Sequence, residues 1–443
     1  MAWLSNWTYR KEITVTNASA DYQTKILVGE SSGATGEEVD CGGHVAADFD
    51  DLRFTAADGT TLLDYWIESI TGSTPNGLAT VWVQNNAGAD ATLYMYYGGT
   101  ESAVSSGADT FDDFDDFEAG TNDWAIYNGG TISSSTTEEK HGTHSLEIID
   151  DSGSASEGAY RSSLTIGSNK MITFWDRLTA ARQIQFIIRD SGATIENIYF
   201  DTDGDIKGLG AGGVIQAYNI NQWYKFDINL FSDTNKYKLW IDDVYKGEYN
   251  LFAAGSEVNA LYNICKSTET ATWYFDTFRV RKYTATEPTF AFGAEVESPW
   301  ISPTGHVDPD TAWSNETNAY DENTATAATE TPEASSWGSY LELTHASLSC
   351  DKVRFYAEST WGSATEISLD VYYSDGWHNI FEGAFADQAW VEKSIGSTQQ
   401  VTAARVKFLG DNPISDYFYL YEFDFHEAEA PAGYPHSFGV IIF

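Results

Sequence analysis

The chain has 443 residues, with 66 Asp and Glu against 24 Lys and Arg, for a formal net charge of -42 at pH 7. A surface so acidic repels phosphate backbones, which excludes nucleic acid as a partner. Aromatic residues make up 15% of the chain, enough to sustain packed cores and to exclude wholesale disorder despite the charge.

This length suits about two to four domains, each able to bury its own core. Short alternating runs are separated by the 37 Gly, and no stretch sustains the apolar period of a long amphipathic helix. The expected fold class is all-β: three tandem β-sandwich or jelly-roll modules with almost no helix. Cys41, Cys265 and Cys350 are odd in number and fall one to a module. Three unpaired, buried thiols are therefore expected, rather than a disulfide framework or a zinc site. No apolar run reaches the roughly 18 residues of a membrane span. Met1 to Trp7 lack a basic n-region and an apolar h-region, so no secretory signal is expected and synthesis in a cytoplasm follows.

The first module, residues 1–107, opens with Trp3, Trp7, Tyr9, Arg10 and Lys11, which lead into the alternating run Ile13, Thr14, Val15. A second block runs from Asp51 to Glu68 and a third from Tyr94 to Gly98. This set resembles a family of unknown function found in prokaryotic and viral surface proteins, usually followed by a concanavalin-A-like sandwich. The resemblance implies a surface or virion component that displays lectin-like folds, and it names no ligand. Turn formers from Gly98 to Gly107 close the module.

The second module, residues 108–297, begins with the acidic run Asp112 to Glu118. Phe111, Phe114 and Phe117 interleave with its carboxylates, so the run is expected to be a strand entering a sandwich rather than a cation site. Trp223 to Leu230 and Tyr237 to Gly247 are expected to pair as an antiparallel hairpin. Trp273 to Tyr283 is a late strand, closed by Glu287, Pro288 and Thr289. Together these resemble the laminin-G-type, concanavalin-like sandwich.

Pro299, Pro303 and Pro309 lead into the third module, residues 298–429, with strands at 353–357, 367–372, 404–408 and 417–425. Asn318, Ala319, Asp321 and Thr326, with Glu422 in the last strand, resemble a loop-and-strand pattern of discoidin or galactose-binding-like jelly rolls. Glu322 stands where that pattern usually has Gly. A tail, residues 430–443, ends in the apolar residues Phe438, Val440, Ile441, Ile442 and Phe443, expected to dock on a partner or on another copy of the chain, the alternative being that it folds back onto the third module.

The resemblance implies a structural calcium held by Asp321, Asn323, Thr326 and Glu422, stapling the loop to the final strand. Their side-chain and carbonyl oxygens suit a cation that prefers six to eight oxygen ligands; the alternative is a hydrogen-bonded Asx-type turn. Asp201 to Asp205 imitates the start of a calcium loop, but Gly212 stands at the closing position, so a hairpin turn is expected. Trp337, Trp361, Trp377 and Trp390 are candidate platforms for stacking on sugar rings. Glu422, Asp424 and Glu427 imitate the acidic triad of laminarinase-type hydrolases, but on the last strand of a module that does not look concanavalin-like. His141 and His144 offer no metal spacing and are expected in a turn. No nucleophile elbow, phosphate loop or zinc-protease helix appears.

The leading expectation is a non-enzymatic structural or surface protein of a prokaryotic virion: a decoration, fibre or tail-associated adhesion component displaying lectin-like modules. Its partners would be other virion proteins, copies of itself and cell-surface glycans, without nucleic acid or membrane insertion. It would lie on the virion surface, or else be extracellular as a cellular adhesin or carbohydrate-binding protein. A polysaccharide hydrolase or lyase is the third reading, resting on the acidic triad alone.

Overall fold

The computed structural model describes residues 3–4, 7–85, 91–99, 104–231, 235–266, 268–333, 335–359, 366–410 and 417–428. Strands account for 59% of it and helix for 2%, so the chain is all-β. The chain forms two compact units, divided chiefly between Glu295 and Val296, with Ser5–Thr8 grouped with the second.

The first unit holds two sandwiches. In the first, one sheet has the order Thr289–Glu297, Trp7–Thr16, Ala91–Gly99, Arg53–Thr55, and the other Val39–Asp40, Tyr22–Gly29, Leu78–Asn85, Tyr65–Thr71. Alternation sets the faces: Ile13 and Val15 are buried while Glu12 and Thr14 are exposed. The Thr289–Glu297 strand corrects an expectation. The sequence reading gave it to the second module, yet it pairs with Trp7–Thr16. The cause is apolar: Phe290 and Phe292 pack against the first sandwich's core. That sandwich is therefore discontinuous in sequence.

The second sandwich faces an eight-stranded sheet against a seven-stranded one. The strands Trp223–Leu230 and Lys236–Ile241 pair antiparallel, with Phe226 opposite Ile241. The acidic run contributes a strand, Asp113–Asp115, paired with Ala271–Lys282. Asp201 to Asp205 form the turn between Ala193–Phe200 and Asp205–Gly208. There Lys207 Nζ lies 2.7 Å from Asp201 and also bonds Asp203, so an ammonium takes the role of a cation. Between the two layers, Trp273 Nε1 donates to Asn263 (2.7 Å) and Asn263 Nδ2 donates to Asp176 (3.1 Å).

A small aromatic cluster fuses the two sandwiches. Trp66 and Trp82 of the first pack with Phe111 and Phe114, which immediately precede or enter the second. Arg279, 1% exposed, reaches from the second sandwich to Glu68 of the first at 2.8 Å. Its guanidinium also lies 4.7 Å from the Trp82 ring, and Trp82 Nε1 donates to Glu68 (2.8 Å). Burial pushes the Glu68 carboxyl up, but Arg279 and its neighbours outweigh this and hold it at about 2.

The second unit is built on a nine-stranded sheet with the path Trp300–Ile301, Phe418–Glu427, Leu341–Ser359, Ala389–Gly410, Glu366–Tyr373, Gly376–Ala384. Its two long central strands shift register near Thr344–Leu348 and Cys350–Lys352. Residues from both ends of the sheet, Phe423 and Phe425 with Ile367 and Val371, share one apolar cluster. The sheet thus folds over itself at the bulges and supplies both layers of a sandwich. Cys41, Cys265 and Cys350 are free and buried, each in a different core.

Candidate functional site

The second unit brings together the residues that the sequence singled out in its loop and last strand. A 3-10 turn, Glu316–Ala319, feeds the loop. Asp321 accepts from Asn323 N (3.1 Å) and from Thr326 Oγ1 (2.7 Å), closing the loop on itself. Glu322 has φ 60°, the left-handed conformation that favours glycine. Glu422, 1% exposed, accepts from Asn323 N at 2.6 Å and ties the loop to the final strand.

Burial, with smaller contributions from the adjoining charges of Asp424 and Asp321, raises the Glu422 carboxyl to about 9. The Asp321 side chain also hydrogen-bonds to it. Two carboxyl groups in contact require a shared proton or a cation between them. The donor set of two carboxyls, a hydroxyl and an amide suits a hard cation, with carbonyls and water completing the shell. Among the described residues, no group of three or more His, Cys, Asp and Glu is placed to hold a metal ion.

The three carboxylates of the acidic triad have different surroundings. Asp424 is bound to Arg354 (2.7 Å) and accepts from Ser302 Oγ (2.9 Å), Glu422 is held by the loop, and Glu427 is exposed.

The tryptophans fall on two separate outer faces. On one, Arg354 lies 3.9 Å from the Trp390 ring and 4.5 Å from Trp300, opposite Asp424 in the neighbouring strand. On the other, Arg405 lies 4.0 Å from Tyr340 and 4.4 Å from Trp377, opposite Asp370. Asp370 accepts from Arg405 Nε (2.8 Å) and from Asn379 Nδ2 (2.9 Å). Lys407 Nζ extends the row, 4.5 Å from Tyr340 and 5.1 Å from Trp337.

The two faces differ at the cation, which is more open on the second. The Arg354 side chain is 9% accessible and Arg405 26%. Trp300 and Trp390 on the first face, and Trp337, Tyr340 and Trp377 on the second, are all half-buried. Sequence reasoning missed Tyr340, Asp370, Asn379 and Arg405. The available signal was polar alternation, since Ser368, Asp370 and Tyr372 interleave with the fully buried Ile367, Leu369 and Val371. Trp361 lies outside the described residues, as do Phe438, Val440, Ile441, Ile442 and Phe443.

Residues 48–127 match a protein family described as "Domain of unknown function (DUF2341)". The matched segment runs past the first sandwich and includes Glu68, Trp66, Trp82, Phe111 and Phe114. It therefore carries most of the seam between the two sandwiches. No curated protein matches the chain. Among solved structures, a sialidase is similar at 11% identity and a TM-score of 0.34, over 48% of this chain and 20% of that one. The chain thus spans a fifth of that protein's length. A cellulose-induced protein, Cip1, is similar at 16% identity and a TM-score of 0.33, over 38% of this chain and 96% of that one. The tandem CBM22 domain of Xyn10C from Paenibacillus barcinonensis is similar at 15% identity and a TM-score of 0.26, over 72% of this chain and 98% of that one.

Proposed function

We propose that the chain is a non-catalytic glycan-binding protein, and that the more open face of the second unit holds the sugar. The observation that carries this reading is the row Trp337, Lys407, Tyr340, Arg405, Trp377, braced by Asp370 and Asn379. Aromatic rings offer apolar surface to the C–H faces of sugars, while Asn379, Asp370 and the two cations offer hydrogen-bonding groups to their hydroxyls. Side chains fixed by one another lose little entropy on binding. The net charge of -42 disfavours polyanions, so a neutral glycan is the fitting ligand.

Titration of the full chain with cellohexaose, xylohexaose and laminarihexaose tests this reading. Trp377→Ala is expected to weaken the binding at this face by about tenfold, roughly 1.4 kcal/mol. Unchanged binding in that variant, or no binding of any neutral glycan by the native chain, would remove the proposal.

We further propose that calcium, when bound, is held by Asp321, Asn323, Thr326 and Glu422, and acts by fixing the loop to the final strand. Stabilisation then follows from mass action on the folded state. Calcium should raise the temperature at which the second unit unfolds within the full chain, and chelator should lower it. Asp321→Ala should abolish both responses; indifference of the native protein to chelator would end the idea.

A further inference from the structure

The second sandwich carries a face that the proposed function does not use. In its seven-stranded sheet, register places Tyr160 opposite Tyr262, Tyr262 opposite Ile187, and Ile187 opposite Asn197. These four form one row across four adjacent strands: Gly158–Ile166, Val258–Cys265, Ile184–Asp190 and Ala193–Phe200. The alternate positions, Ala159, Phe186 and Ile198, point into the core, so the row lies on the outer side of the sheet, where Tyr160 and Tyr262 are half-buried and Ile187 (7% exposed) and Asn197 are buried. At the usual strand spacing it is about 14 Å long, the footprint of an oligosaccharide rather than of a single sugar.

Tyr160 and Tyr262 stack at 5.6 Å, and Tyr127 meets Tyr262 edge-on at 5.1 Å. Arg189, two residues along from Ile187, lies 4.2 Å from the Tyr262 ring. Among the described residues no carboxylate stands within ion-pair distance of it, although acids outnumber cations 66 to 24 in the chain.

Two polar atoms on this face are buried without partners. Asn197, 6% exposed, has an orphaned Oδ1, and Arg189 has an orphaned Nε. A buried polar atom left unsatisfied costs roughly 1–3 kcal/mol, and a ligand group that pairs it recovers part of that cost. One orphan is an acceptor and the other a donor. A sulfate or ionised carboxylate would answer only the donor, whereas a sugar hydroxyl both donates and accepts. We infer that this tyrosine-lined face is a second binding site, for a neutral oligosaccharide with vicinal hydroxyls, anchored by Arg189 and Asn197. The inference stands apart from the proposal for the second unit, because it uses a different sandwich and different atoms.

The test uses the full chain carrying Trp377→Ala, so that the other face is weakened, and the probes are cellohexaose, xylohexaose and laminarihexaose, with hexagalacturonate as the anionic control. Binding of a neutral hexasaccharide should persist in this background. Adding Asn197→Leu should weaken it at least tenfold while leaving the melting temperature unchanged or higher, because the orphaned acceptor is gone. Arg189→Met should weaken it similarly and serves as the second variant should Asn197→Leu fold poorly. The inference is overturned if the Trp377→Ala chain binds no neutral probe, if neither added substitution alters affinity, or if hexagalacturonate binds best. If instead Trp377→Ala has no effect but Asn197→Leu abolishes all binding, this site stands and the reading of the second unit falls.

Discussion

Replacing Arg279 by Ala is expected to destabilise the first unit by about 3–5 kcal/mol, the range for removing one partner of a buried ion pair. Glu68 would be left buried in the seam, with Trp82 Nε1 as its one remaining hydrogen-bond donor among the described residues. The aromatic cluster of Trp66, Trp82, Phe111 and Phe114 would also lose the cation that lies against it. A change of this size is a large fraction of a typical domain's total stability. Calorimetry of the full chain provides the measurement. The companion variants Glu68→Gln and Arg279→Met, alone and combined, complete a double-mutant cycle. The combined variant should recover part of the loss, because no uncompensated charge remains. A loss below about 1 kcal/mol in Arg279→Ala would mean that the seam is solvated and the two sandwiches are not fused through it.

Stability of the first unit is expected to fall as pH rises from about 4 to about 8, with Asp176 the largest single cause. Burial raises its carboxyl from the ordinary range to about 8, against a hydrogen bond from Asn263 that pulls the other way. Burial also raises Asp276 to about 7 and Asp115 to about 6. In that window the folded state keeps protons that the unfolded chain releases. The contribution is full below the unfolded carboxyl range and is lost as pH climbs through the folded values, at about 1.4 kcal/mol per unit for one fully perturbed group. Glu68 works in the opposite direction, since a carboxyl held at about 2 loses its contribution only in stronger acid. The optimum therefore lies on the mildly acidic side. Asp176→Asn, nearly isosteric and uncharged, should melt higher than the native chain near pH 8 and show a flatter dependence on pH. Parallel pH profiles for the two proteins would show that Asp176 is ionised in the fold.

The all-β class was legible because aromatic and β-branched residues alternate with polar ones over short runs, as in Lys236–Ile241 and Trp223–Leu230. The fate of Thr289–Glu297 was not legible. Its Phe290 and Phe292 alternate equally well for either sandwich, and only packing decides which sheet it joins. The loop around Asp321 was readable because its partners are close in sequence, and Glu422 was named from a recurring pattern rather than from spacing. The more open face was only half readable. Trp337 and Trp377 stand out as residues, but the Arg405–Asp370 bridge that braces them joins strands 35 residues apart and depends on register. The tyrosine row is the same case: Tyr160, Tyr262, Ile187 and Asn197 become neighbours only through three strand pairings.

The measurement that tests the central claim most directly is a crystal structure of the full chain grown with whichever neutral hexasaccharide binds it most tightly. The account predicts a sugar ring against Trp377 and Tyr340, with hydroxyls within hydrogen-bond reach of Asp370, Asn379 or Arg405. A well-ordered ligand elsewhere on the second unit, with that row left bare, would contradict it.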